Sequence, residues 1–157
     1  RERAKIANQH DDALFVSIHL NKDAARSSNG METYYAKRKV PLEEDWTWVG
    51  FFTGAEQPNN VDDCEHLAGS IQAAIATRTE GRNRGIRQRD YYVVRHVKGP
   101  AVLVEGGFMS NSMEAKLLNT EEYRERIAMG IAEGVMNYQK SKGRPSSKPP
   151  QLASATR

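Results

Sequence analysis

A chain of 157 residues, 38% hydrophobic and 27% charged, has the size of one domain and enough apolar content for a core of its own. A formal charge of +3 is only mildly basic, and the single cysteine, Cys64, excludes an intrachain disulfide or a Cys-x-x-Cys zinc site. No apolar run approaches the roughly 18 residues that span a bilayer, which argues against a transmembrane helix.

In chain order, residues 2–9 carry the pattern of a helix end, and the opening Arg1-Glu2-Arg3, without initiator Met or signal peptide, is expected to lie inside a longer protein. Ala13 to Ile18 is a short, nearly continuous apolar run, as in a strand covered on both faces, and this strand is expected to end at His19. Asn29-Gly30 is a strong turn signal, after which Met31 to Ala36, with Thr33, Tyr34 and Tyr35, reads as a second strand. Residues 37–61 hold Trp46, Trp48, Phe51 and Phe52 without a lasting period and read as an irregular insertion.

Asp62, with Glu65 three residues on, offers a helix N-cap, and Cys64, Leu67, Ala68, Ile71, Ala74 and Ile75 recur at helical spacing, predicting a helix over 62–79. An arginine-rich turn follows, and then two strand-like runs, Tyr91 to Val94 and Ala101 to Val104, separated by Lys98-Gly99-Pro100. Asn111 with Glu114 and Thr120 before Glu121-Glu122 cap two further helices, the second carrying Tyr123, Ile127, Ile131, Val135 and Tyr138 on one face. Residues 1–140 thus form one domain, and 141–157 have too little apolar content to fold and read as a tail or linker. Interleaved strands and helices argue for an α/β fold, a three-layer, mostly parallel twisted sheet with helices on both faces.

Two strings put reactive side chains at strand ends: Ser17-Ile18-His19-Leu20-Asn21 and Val104-Glu105-Gly106-Gly107-Phe108. Ligands and chemistry gather at the carboxyl ends of parallel strands, so His19 and Glu105 are candidates for a shared crevice. An imidazole can hold zinc, and a carboxylate with no side chain on the two residues after it leaves room for a substrate backbone. A hydrogen-bonded structural histidine and a plain loop glutamate are the alternative readings. Arg78, Arg82, Arg84, Arg87, Arg89 and Arg95 form a basic stretch that could attract an anionic polymer or could be a solvated face.

Together the strings resemble the cell-wall amidase 3 family of zinc-dependent N-acetylmuramoyl-L-alanine amidases. The resemblance rests on Glu2 to Asn8, Leu14 to Asn21, Asn29 to Tyr35, Arg84-Gly85-Ile86-Arg87 through Arg95, and Pro100 to Asn111, in that order. It implies a peptidoglycan hydrolase that cleaves the amide between N-acetylmuramic acid and the L-alanine of the stem peptide, outside the cytoplasm, in the periplasm or cell wall. It also implies Zn2+ as cofactor, His19 as a metal ligand and Glu105 as the catalytic glutamate. Glu32, Asn21 and Arg84 are implied candidates for substrate contact, with a cross-strand structural role open for Glu32, and Arg84 and Arg87 are candidates to face the anionic glycan, with loop solvation as the alternative.

The family pattern has an earlier Gly-His-Gly type histidine and a later glutamate ligand upstream of the segment matching Glu2 to Asn8, and neither stands in this sequence. His10, His66 and His96 are poor substitutes by position. The expectation is that the first strand and first helix of the family fold are missing, and that this chain alone binds zinc poorly and has little activity. A non-catalytic wall-binding or regulatory module of the same fold is the alternative. A nucleic-acid-binding domain lacks any accompanying recognition signature.

Overall fold

The computed structural model describes residues 1–37 and 61–143. Most of the expected insertion, with Trp46, Trp48, Phe51 and Phe52, and the tail from residue 144 onward lie outside the described residues. Helix α1 spans Glu2–Asn8, followed by β1 Phe15–Asn21, β2 Met31–Tyr35, α2 Val61–Thr79, β3 Asn83–Gln88, α3 Tyr92–Arg95, β4 Ala101–Phe108, α4 Ser112–Leu118 and α5 Glu121–Ser141. The four strands form one mixed sheet in the order β1-β4-β2-β3. β1 runs parallel to β4 and β2 parallel to β3, whereas β2 and β4 are antiparallel.

Alternation along the strands divides the side chains between two faces. Met31, Tyr35, Val102 and Val104 pack on Cys64, Leu67, Ala68, Ile71 and Ile75 of α2 and on Tyr123, Ile127 and Ile131 of α5, forming the larger core. Tyr34, Ala36, Ala101 and Leu103 join Ala4 of α1 and Val94 of α3 in a smaller one. Helices thus cover both faces, as the interleaved pattern predicts.

Several boundaries differ from expectation. β1 continues past His19 to Asn21 and β4 past Glu105 to Phe108, so both reactive residues lie within strands. Asp62 falls in the first turn of α2, not at its cap. Asn111 and Thr120 cap as predicted: Asn111 Oδ1 accepts from the Met113 and Glu114 amides at 3.0 and 3.1 Å, and Thr120 Oγ1 from the Tyr123 amide at 3.3 Å.

The largest correction concerns residues 83–95. The supposed arginine-rich turn is strand β3, and the supposed strand Tyr91 to Val94 is the short helix α3. Aromatic and β-branched residues favour strands, but packing overrides that preference here. The place beside β2 is filled by β3, and Val94 is carried into the smaller core with no exposed surface. β3 escapes the periodicity test because Ile86 is its one apolar residue.

β3 also contains a bulge. Met31 pairs with Asn83 and Thr33 with Ile86, so three steps on β3 match two on β2. Gly85, at φ +80°, absorbs the extra residue. In a regular strand positions i and i+3 face opposite ways; the bulge returns Arg84 and Arg87 to one face. No atom lies within 4 Å of a Cβ built on Gly85, so Gly85→Ala meets backbone strain and no clash. A loss of about 1 kcal/mol is expected, seen as a lower urea midpoint at unchanged m-value.

Candidate functional site

The strand pairings bring three separated residues into one row. His19 of β1 stands opposite Glu105 of β4, and Glu105 stands opposite Glu32 of β2. Residues paired across strands share a face, so the imidazole and both carboxylates rise from the same side of the sheet. The smaller core fills that side nearer the start of β4, around Ala101 and Leu103, and the row lies beyond it.

His19 is partly buried, and its Nε2 lies 2.9 Å from the Ser17 hydroxyl, two residues back on the same face. A hydroxyl on one ring nitrogen orients the imidazole and leaves Nδ1 for another partner, the arrangement common around metal-binding histidines. Glu105 differs from its neighbours in being unsatisfied: Oε2 is buried with no hydrogen-bond partner among the described residues. Burial, and next the charge of Glu32, push its pKa up to about 7.

Glu32 has the opposite surroundings. It is 3% exposed, yet both oxygens are occupied. Oε1 accepts from Tyr34 Oη at 2.5 Å and Asn21 Nδ2 at 3.1 Å, Oε2 accepts from Arg84 Nε at 3.0 Å, and Arg87 Nε lies 3.1 Å from Oε2 as an ion pair. Burial alone would raise its pKa, but these donors and cations outweigh it and hold the carboxyl below the usual range. The same contact drives the Tyr34 phenol upward, after burial as the larger cause. Two adjacent carboxylates are therefore pushed apart in acidity, one neutralised by arginine and one left bare.

Asn21 and Arg84, the other expected site residues, converge on this row through Glu32. Arg84 Nη1 also donates to the Asn29 carbonyl at 3.3 Å, and its guanidinium lies 5.0 Å from the Phe108 ring centre. Arg87, paired with Arg84 in the sequence as a candidate to face the anionic glycan, joins them. Glu114, read there only as a helix-start signal, braces the ends of β2 and β4 from beneath: its carboxylate accepts from the Gly30 amide at 2.8 Å and the Phe108 amide at 2.7 Å. A buried acid bridging two backbone amides leaves no periodic trace in sequence.

A zinc ion fits this site in part. His19 offers a ligand nitrogen and the bare Glu105 oxygen a nearby proton acceptor, but a hydrolytic zinc needs about three protein ligands. Among the described residues no group of three His, Cys, Asp or Glu side chains could hold a metal. The remaining histidines have other surroundings: His96 stacks on Tyr92 with ring centres 4.2 Å apart, His66 meets Tyr138 at 5.4 Å, and His10 is exposed beyond α1.

Known proteins resemble the chain in sequence and in fold. The Amidase_3 family model, described as N-acetylmuramoyl-L-alanine amidase, matches residues 1–137. An uncharacterized Bacillus subtilis protein, YqiI, is 32% identical over 137 residues, covering 87% of this chain and 56% of its own length. The N-acetylmuramoyl-L-alanine amidase LytC of the same organism is 31% identical over 138 residues, covering 88% of this chain and 24% of its own. A crystal structure of N-acetylmuramoyl-L-alanine amidase from Clostridium difficile 630 superposes with a TM-score of 0.71 at 30% identity, over 90% of this chain and 66% of that one. The chain thus spans about half or less of the length of these two curated relatives.

Proposed function

The chain belongs to the Amidase_3 family of N-acetylmuramoyl-L-alanine amidases, and from that premise we propose that it carries the base half of a peptidoglycan amidase site. Glu105 carries this reading, a half-buried carboxylate with one buried oxygen unpartnered among the described residues and a pKa near neutrality, directly opposite the one imidazole of the row. A base works best when its pKa lies close to the working pH. Glu105 takes the proton of the attacking water as oxygen bonds to the amide carbonyl carbon. It then hands that proton to the alanine nitrogen as the C–N bond breaks, leaving a lactyl carboxylate and a free amine. No side chain grows from Gly106 or Gly107 over the carboxylate, so a substrate backbone can approach.

His19 is proposed as one zinc ligand, held by Ser17, with the others supplied from outside the described residues. Bound zinc would polarise the amide carbonyl and lower the pKa of its water. Asn21 and Arg84 belong to the site by anchoring on Glu32. The substrate, cell-wall peptidoglycan, places the working protein outside the cytoplasm. Among the described residues no helix is long and apolar enough to cross a membrane.

Isothermal titration with zinc tests the ligand count. The 157-residue chain is expected to bind zinc at least about a hundredfold more weakly than the same chain joined to its upstream sequence. The longer chain is expected to release free alanine amino groups from N-acetylmuramoyl peptides. Tight zinc binding by residues 1–157 alone overturns the split site, and a zinc-loaded longer chain without amidase activity overturns the functional reading. A wall-binding module of the same fold would then remain, but the bare carboxylate of Glu105 has no use in such a module.

A further inference from the structure

The amidase reading leaves one group without a task. Two guanidiniums, Arg84 and Arg87, converge through Nε on the same oxygen of Glu32, whose other oxygen is already taken by Tyr34 and Asn21. One carboxylate neutralises one arginine. The cluster therefore keeps an excess positive charge two strands away from Glu105, on the same face of the sheet. A guanidinium has five N–H donors. Among the described residues Arg87 meets Glu32 through Nε and keeps both terminal nitrogens, and its side chain is 44% exposed, against 21% for Arg84. Arg84 is the more committed of the two, spending Nη1 on the Asn29 carbonyl and covering the Phe108 ring.

Chance does not easily give this arrangement. It depends on the bulge at Gly85, without which Arg84 and Arg87 would face opposite ways, and on a buried acid holding both stems in fixed orientation. Paired terminal N–H groups on a pre-oriented fork suit a planar oxyanion, a carboxylate above all.

Resting on the amidase reading, we propose that the Arg84–Arg87 pair is a carboxylate-binding subsite that takes an acidic group of the peptide on the alanine side of the scissile amide. Arg87 makes the contact, and Arg84 and Glu32 position it. The spacing agrees. β4 and β3 are two strand intervals apart, about 10 Å. Two residues of extended peptide reach about 7 Å, and the arginine side chain spans the remainder. The acid would therefore sit one or two residues beyond the alanine. Such a subsite selects acidic stem peptides over those whose carboxyl is capped as an amide.

The test compares N-acetylmuramoyl-L-alanyl-D-glutamate with its analogue amidated at the α-carboxyl of glutamate, titrated calorimetrically into the zinc-free 157-residue chain. The free acid is expected to bind about tenfold more tightly than the amide. Arg87→Met should abolish that preference while the amide still binds, and Arg87→Lys, which keeps the charge but not the fork, should retain only part of it. Equal binding of acid and amide by the unsubstituted chain, or an undiminished preference in Arg87→Met, overturns the subsite alone. Failure of both compounds to bind overturns the subsite, whereas the amidase reading falls only if the zinc-loaded longer chain lacks turnover. Suppression of the acid preference by inorganic phosphate at concentrations where acetate has no effect assigns the site to a phosphate-bearing wall polymer and overturns the peptide assignment.

Discussion

Glu105→Gln is expected to lower amidase turnover of the zinc-loaded protein by at least about a thousandfold while making the fold more stable. The two effects share one cause. An ionised carboxylate with a buried, unpartnered oxygen beside Glu32 is costly to fold, as its elevated pKa of about 7 shows. The sign follows from linkage. Below pH 4.5 the carboxyl is protonated in the folded and unfolded chains alike, and it contributes no pH-dependent difference. Between pH 4.5 and 7 the unfolded chain releases the proton more readily than the folded one, so stability falls; above about pH 7 the full penalty is present. Glutamine is neutral throughout. After discounting for partial exposure, the gain of the variant should grow to about 1–2 kcal/mol above pH 7 and vanish below pH 4.5. Thermal melts across that range in the presence of EDTA measure it. A gain independent of pH would show that repacking, not charge, is responsible.

Gly134→Ala is expected to be among the most damaging single-methyl additions in the molecule, with a loss of about 3 kcal/mol. Gly130 and Gly134 lie one turn apart on α5, buried against α2. A Cβ on Gly134 would collide with the Cα of Ile71, and one on Gly130 would come within 2.7 Å of the Cα of Ile75. These atoms are backbone, so no rotamer change relieves the overlap, and the helices must separate. Separation would open the core where Ile71 and Ile75 pack with Met31 and Val104, beneath the strands that carry the site. Guanidinium unfolding of the variant measures the loss. Gly69→Ala in the same helix pair is the control: nothing lies within 4 Å of its Cβ, and better helix propensity should make it neutral or slightly stabilising.

The legible parts of the sequence were those whose signal is periodic or local. The 3.6-residue spacing of Leu67, Ile71 and Ile75, the caps at Asn111 and Thr120, and the apolar β4 all carry their structure in a few neighbouring residues. His19 and Glu105 stood out because each follows an apolar run. What sequence could not supply is the register that sets them opposite one another, since strand pairing is decided by the whole sheet. The 83–95 segment was misread for a related reason. Polar on both sides of Ile86, β3 exists because β2 has an open edge and Glu32 needs countercharge, and neither condition is written within its own six residues. Gly85 between two arginines was the available clue, a glycine inside a strand marking a bulge.

The pairing of β1 with β4 also dictates an order of events. Phe15 near the start of the chain meets Ala101, and His19 meets Glu105, so β1 waits for β4 before it has its neighbour. Such distant closure is slow compared with helix formation or local turns, and contacts of this kind lengthen folding. Until it happens β1 has hydrogen bonds to give on both edges, with Ile18 and Leu20 still 60% and 40% exposed even after closure. On a ribosome, α2 and its arginine strand emerge while β1 remains unclaimed. The chemistry is therefore assembled late: no intermediate lacking β4 can hold the imidazole and the carboxylate side by side.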